Sequence, residues 1–204
     1  MARTQAERRS ETRQQLLSAA RDLIAERGVA GASVDALAEA ADRTSGALYS
    51  QFGGKDGLLL ALLDAWKDAT ATVIAAEFES AHDEAERLAS LWRNFADPPA
   101  EGGGAWVLLE HELWLYACRN PGVASPVAAR YRDARRRLAE ALPPRVDGPD
   151  LPDTGLAALL IGLVIGLEMQ RRLDPTAVPD ELALAGLRAL LETAPASAEM
   201  SPPT

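Results

Sequence analysis

Cysteine is nearly missing: Cys118 is the single one in 204 residues. A lone thiol cannot close an intramolecular disulfide, and a cysteine-based metal site has too few ligands. Histidine is equally scarce, with two in the chain. His111 and Cys118 lie seven positions apart on one helical face, which is too small a ligand set for zinc, so no metal and no cofactor is expected. Aromatic residues make up 5%. β-Branched residues are sparse and Ala and Leu dominate, which favours helices over sheets. No long hydrophobic run is present either. The longest, 156–167, falls short of the roughly 20 residues a membrane span needs. The basic start Met-Ala-Arg-Thr-Gln-Ala-Glu-Arg-Arg-Ser is not followed by the apolar core of a signal peptide. The expectation is a soluble, cytoplasmic protein with no membrane partner. Gly-rich phosphate cradles, a Ser/His/Asp order and paired-carboxylate motifs are also lacking, so the chain is not expected to be an enzyme.

What is present is a chain that is 48% apolar, enough for a real core. The net charge of −9 is unevenly spread. Residues 1–56 carry eight basic and eight acidic groups; residues 57–204 carry 13 and 22. Phosphate binding depends on local charge rather than on the chain total. Arg3, Arg8, Arg9 and Arg13 against Glu7 and Glu11 make a mildly basic arm. The arm reads equally well as a DNA contact and as a solvated terminus.

Periodicity divides the chain into nine helices and no strand. Ser10 or Thr12 is placed to cap a first helix that Gly28 stops, with Leu16, Leu17, Ala20, Leu23 and Ile24 as its apolar stripe. Ser33 caps a second, short helix. Asp42-Arg43 is a turn, Thr44 caps a third helix, and Gly53-Gly54 ends it. A long fourth helix runs from about Lys55 to about Ala81. Amphipathic segments follow at 82–96 and 105–119, the latter stopped by Asn120-Pro121-Gly122. Ser125 or Pro126 opens the next, which carries Arg130, Arg132, Arg135, Arg136 and Arg137. That run suits ion pairs with the acidic half better than a second nucleic-acid patch. A helix over 154–173 is apolar nearly all round and is expected to be buried on most sides. A last helix covers 180–193. Residues 97–104 and 143–152 are loops, and a Pro/Ser/Ala tail at 195–204 is expected to be disordered.

The most informative stretch is Thr44-Ser45-Gly46-Ala47-Leu48-Tyr49-Ser50-Gln51-Phe52. Leu48 and Phe52, four apart, make an inward face. Ser45, Gly46 and Ala47 keep the outward face small. Tyr49, Ser33, Thr44 and Lys55 supply donors on either side. That is what the second helix of a helix-turn-helix needs to enter a major groove. The surface of an ordinary helical bundle with a tyrosine at its rim satisfies the same pattern.

The stretch Ala25-Glu26-Arg27-Gly28, then Ser33-Val34, Ala38, Gly46-Ala47-Leu48-Tyr49, Phe52 and Lys55-Asp56-Gly57-Leu58-Leu59 resembles the DNA-binding domain of TetR-type transcriptional regulators. The segment Glu112-Leu113-Trp114-Leu115-Tyr116-Ala117 with Arg119-Asn120-Pro121 resembles a stretch common in the second half of many members. The resemblance implies an all-α protein. Residues 1–56 would be a three-helix DNA-binding domain and 57–194 a helical effector-binding and dimerisation domain. It further implies a homodimer on a near-palindromic operator, acting as a repressor released by a small molecule. It places Ser33, Thr44, Tyr49 and Lys55 on phosphates and Ser45, Gly46 and Gln51 near base edges, with Ala47 beside them. Two departures matter. Asp42 stands where the family has a turn glycine, and Arg43, where it has a buried valine, is assigned to a phosphate. Specificity would then rest on few bases, because no arginine projects from the recognition helix. A helical small-molecule-binding module with weakened DNA binding is the alternative. Effector-lining candidates are Trp92, Trp106, Leu109, Glu110, Leu113, Trp114 and Met169, each of which also suits a plain core position.

Overall fold

The computed structural model of the protein describes residues 4–97, 103–142 and 153–192. The loop centres at 98–102 and 143–152, Arg3 and the tail at 195–204 lie outside the described residues. Among the described residues the chain is all-helical, with nine helices and no strand. They are α1 (Gln5–Gly31), α2 (Val34–Ala40), α3 (Ser45–Phe52), α4 (Lys55–Ser80), α5 (Glu84–Ala96), α6 (Gly103–Arg119), α7 (Pro121–Ala141), α8 (Asp153–Leu173) and α9 (Asp180–Glu192). No described helix is long and apolar enough to cross a membrane.

Two helix starts differ from expectation. α1 begins at Gln5, ahead of Ser10 and Thr12, because Thr4 and Glu7 form a capping box. The Thr4 hydroxyl accepts from the Glu7 N–H at 3.2 Å, and the Glu7 carboxylate accepts from the Thr4 N–H at 2.7 Å. α7 begins at Pro121 rather than at Ser125 or Pro126. Proline at the first helical position has no N–H to leave unpaired. The Asn120 carbonyl takes the N–H groups of Val123 at 2.9 Å and Ala124 at 3.0 Å. A Pro-Gly pair read as a stop is therefore a start, and Pro126 sits inside the helix.

The turn between α2 and α3 is a Schellman motif. The Arg43 N–H reaches back to the Ala38 carbonyl and the Asp42 N–H to the Glu39 carbonyl, both at 2.9 Å. Asp42 takes the left-handed conformation this motif demands, with φ 52°. It occupies the position glycine fills at lower cost, and aspartate is one of the few other residues that tolerates it. α3 ends at Gly53 (φ 74°), followed by Gly54 (φ 134°).

Packing divides the chain into two compact units, Met1–Ala71 with Pro99–Tyr131 and Thr72–Pro98 with Arg132–Thr204. α4 and α7 contribute to both. The core of the first unit joins Leu16, Ile24 and Leu37 to Leu48 of α3, to Leu58, Leu59 and Leu62 of α4, and to Leu109 and Leu113 of α6. α6 thus shares one core with the helix-turn-helix. The core of the second unit gathers Leu88, Leu91 and Trp92 of α5 with Leu156, Leu160 and Val164 of α8 and Ala183 and Leu187 of α9.

α8 is not buried on most sides. Leu156, Ala157, Leu160 and Val164 face its own unit, whereas Leu159 is 47% exposed and Gly162 and Gly166 lie open. On α9, Leu182 is 50% exposed and Ala185 and Ala189 lie on the same outward side. An all-round apolar pattern does not say whether its second face is covered by the same chain.

Three arginines of the α7 run, Arg130, Arg136 and Arg137, form ion pairs. Arg130 Nη2 donates to Asp64 Oδ2 at 2.7 Å, which raises the arginine's pKa against a smaller opposing effect of burial. Arg136 and Arg137 both pair with Asp133.

Candidate nucleic-acid interface and effector site

The outward face of α2–α3 is built from its caps. The Ser33 hydroxyl accepts from the Ala36 N–H at 3.1 Å, and the Thr44 hydroxyl from the Ala47 N–H at 3.2 Å. Each oxygen is thereby used as an acceptor, and each hydroxyl keeps its proton to donate. Both residues are exposed, so a phosphate oxygen beside either helix start would meet that proton and the free backbone N–H groups of the first turn. Gly46 is open to solvent, Ala47 is half-buried, and Tyr49 projects with 56% exposure. Leu48, fully buried, fixes the helix from the opposite side. The Tyr49 ring lies over Gly54, where an added Cβ would meet Tyr49 Cε1 at 3.5 Å.

Besides the two caps, four more of the residues assigned to DNA have side-chain partners within the protein. Ser45 donates to Asp35 Oδ1 at 2.5 Å. Gln51 Nε2 donates to the Arg9 carbonyl at 3.1 Å, which ties the first turns of α1 to the recognition helix. Arg43 donates to the Asp42 carbonyl at 2.8 Å and to the Gln15 side chain. Lys55 turns inward: its ammonium donates to the Val29 carbonyl at 2.5 Å. Desolvation lowers the Lys55 pKa, with Asp56 opposing. The first three bonds are solvent-exposed and exchange readily with water or phosphate; the Lys55 bond is part-buried and belongs to the fold. Arg13 of the basic arm stacks over Phe52 with its guanidinium 4.7 Å from the ring centroid.

The effector candidates fall into two groups. Trp106, Leu109, Glu110, Leu113 and Trp114 are on α6 in the first unit. Glu110 is only 5% exposed. Its carboxylate accepts from the Tyr131 hydroxyl and, at 3.4 Å, from Trp66 Nε1. Trp66 stacks on Trp106 with centroids 5.6 Å apart and 11° between planes, and Trp114 meets Tyr131 edge-on at 5.0 Å. The Lys67 ammonium sits 3.7 Å from the Tyr131 ring centroid. Burial, and then the neighbouring Glu110 charge, push the Tyr131 pKa upward, so its hydroxyl keeps its proton as a donor. Trp66, Lys67 and Tyr131 were not expected at this site; a tryptophan and a lysine on α4 look like core and surface until α6 is seen beside them. Leu109 and Leu113 are ordinary core.

Trp92 and Met169 lie in the second unit. Trp92 is core there: it is 2% exposed, its indole N–H donates to Asp180 Oδ1 at 2.8 Å, and Arg171 stacks 5.7 Å from its ring. His111 Nδ1 lies 2.8 Å from the Val107 carbonyl one turn back, and Cys118 is exposed. Among the described residues no group of three His, Cys, Asp or Glu is placed to hold a metal.

Two short helices, capped by hydroxyls, packed on each other and backed by α1, have the arrangement of a helix-turn-helix. Residues 16–62 match the family described as Bacterial regulatory proteins, tetR family. No curated protein matches the chain. Solved structures do. A member of the TetR family, SCO1917 from Streptomyces coelicolor A3, is 27% identical with a TM-score of 0.69, over 88% of this chain and 98% of that one. The regulator SCO7518 from Streptomyces coelicolor A3(2) is 25% identical with a TM-score of 0.70, over 90% and 99%. The multidrug binding protein EbrR, complexed with ethidium, is 29% identical with a TM-score of 0.67, over 88% and 98%. EbrR complexed with proflavin is 27% identical with a TM-score of 0.60, over 88% and 99%. Residues 16–62 thus carry a DNA-binding domain of the tetR type, and the chain as a whole resembles transcriptional regulators of that family.

Proposed function

We propose that the protein is a homodimeric repressor that leaves a near-palindromic operator when an organic cation binds near Glu110. Residues 1–56 serve as the DNA-binding domain and 57–194 as the effector-binding and dimerisation domain, and the protein works in the cytoplasm. The observation that supports operator binding is the paired cap geometry. Ser33 and Thr44 each hold a helix start and keep a proton for phosphate. Tyr49 stands exposed on the same helix as the Thr44 cap, and the small Gly46 and Ala47 allow close approach. Selection from a random duplex library, followed by anisotropy titration at several salt concentrations, tests it. Tyr49→Phe should lower operator affinity about tenfold, the worth of one hydrogen bond to a charged oxygen, without changing the unfolding midpoint. Failure to enrich any sequence, or a Tyr49→Phe affinity equal to wild type, sinks the reading in favour of a module without operator binding. The internal bonds of Ser45, Gln51 and Lys55 favour that second reading.

The effector class rests on Glu110. Its carboxylate accepts from two neutral donors amid the aromatic rings of Trp66, Trp106, Trp114 and Tyr131, and the Lys67 ammonium lies over the Tyr131 ring. A planar cation stacked on the other rings would meet the same buried carboxylate. The similar protein EbrR is complexed with such cations, ethidium and proflavin. Proflavin titrated into the wild type should bind, and Glu110→Gln, which keeps the shape and removes the charge, should weaken it at least about tenfold. Equal affinity for both proteins excludes Glu110 as the anchor.

A further inference from the structure

Two hydrogen bonds from one face of α6 meet the chain immediately before and immediately after the helix-turn-helix. The first is at the break in α1. Gly28 takes φ 70° and ψ 167°, and the next residue, Val29, donates its N–H to Glu112 Oε2 at 2.9 Å. A Cβ on Gly28 would lie 2.9 Å from that same oxygen. The glycine therefore serves both the left-handed backbone and the approach of the carboxylate. The second is at the start of α4, where the Tyr116 hydroxyl donates to Asp56 Oδ1 at 2.9 Å. Burial and this bond raise the Tyr116 pKa, so the hydroxyl stays a donor at neutral pH. Lys55 closes the figure: its ammonium reaches the Val29 carbonyl at 2.5 Å and lies 5.8 Å from the Tyr116 ring centroid. Glu112 and Tyr116 are four apart, one above the other on a helix.

We infer that Glu112 and Tyr116 are positioning residues, a two-point clamp by which α6 sets the placement of residues 34–52. The clamp holds both ends of the stretch between Val29 and Asp56, so α2 and α3 cannot shift relative to α6 without loosening one of its two bonds. Lys55 links the ends to each other, which makes the two bonds act together. The Lys55 ammonium is in this way a part of the clamp and not a free phosphate donor. Resting on the effector reading above, the clamp also gives Glu110 a route to DNA. Glu110 is two residues before Glu112 on the same rigid helix, so a rotation or slide of α6 that accommodates a cation moves both clamp bonds at once.

The test uses the full-length protein and two readouts, amide hydrogen exchange and operator anisotropy. The double variant Glu112→Gln/Tyr116→Phe should exchange the Val29 amide and the amides of 34–52 at least about tenfold faster, while α8 and α9 amides keep wild-type rates. A residue that merely fills space would slow or speed exchange across the whole first unit. Operator affinity should fall about tenfold. Gly28→Ala should displace the carboxylate and mimic the double variant. In a Glu112→Ala background its added effect should shrink, because the steric part is gone and only the backbone strain remains. Proflavin should change exchange at 34–52 in the wild type and leave it unchanged in the double variant. Wild-type exchange at 34–52 in the double variant, or full additivity of Gly28→Ala with Glu112→Ala, overturns the clamp. Should the wild type bind neither operator nor dye, the proposed function falls, and the exchange and additivity results still decide the clamp.

Discussion

The double variant Leu159→Glu/Leu182→Glu is expected to be a folded monomer that binds its operator about 10²–10⁴-fold more weakly than the wild type. Both leucines are about half exposed on the single chain, so charge at either position disturbs no intrachain core. Around them the surface is apolar or small. Gly162 and Gly166 lie open on α8, and Ala185 and Ala189 continue the Leu182 side of α9. Within the unit α8 and α9 already pack closely, since a Cβ on Gly186 would meet Leu163 Cδ2 at 3.5 Å. Two such helices from each of two subunits would form a four-helix bundle with a self-complementary contact. Glutamates facing each other across it repel and lose their water. The affinity estimate follows from bivalency: two linked recognition helices engage two half-sites, and the second engagement contributes a factor of that size. Sedimentation equilibrium and anisotropy on the full operator check both parts. A dimer that survives the double substitution would move the interface elsewhere.

Gly57→Ala should unfold or rebuild the junction between α3 and α4. An ideal Cβ at Gly57 lies 1.8 Å from the Phe52 carbonyl oxygen, a backbone atom that cannot rotate away. Phe52 is the last residue of the recognition helix, and the Gly53–Gly54 turn carries the chain directly into α4. Relief therefore requires α3 to move away from α4, and Leu48, sealed in the shared core, opposes that movement. The cost is expected at about 3 kcal/mol or more, in the range reserved for backbone displacement. Urea unfolding measures it directly. A Gly57→Ala protein with wild-type stability and operator affinity would mean that the turn yields more cheaply than this spacing implies. An alanine at this site normally favours a helix interior, so propensity and packing here point in opposite directions.

Much of the first unit was legible in residue spacing because the relevant forces are local. Ser33, Thr44 and Gly53 act within four residues of themselves, and the Leu48–Phe52 pair follows from helix periodicity. Asp42 was readable too, as one of the few side chains able to stand in for glycine in the α2–α3 turn. The errors have local causes as well. The capping box at Thr4 and Glu7 lies outside the apolar stripe that marks α1. Pro121 looks like a breaker, yet its missing N–H makes it a good first residue. The site was harder to read because its partners are far apart in the chain. Lys55 resembles a phosphate donor until Val29 is brought beside it, and Glu110 suits a plain core position as well as an effector site until Trp66 and Tyr131 close over it. Glu112, legible only as part of a family-like segment, holds a backbone N–H at a helix break. Spacing along one helix shows which side chains share a face; it does not show what that face meets.

The hydroxyl caps carry a further consequence. At Ser33 and Thr44 a single oxygen atom holds the start of a helix and presents the proton that a phosphate would accept. If the proposed operator contacts hold, fold stability and DNA affinity are inherited together at these two sites. Removing the hydroxyl would then weaken the helix start and the contact in one step, whereas exchanging serine and threonine would preserve both. Drift in operator strength has little room there. It would be channelled to Tyr49 and Gln51, whose side chains can change while both helix starts stay in place.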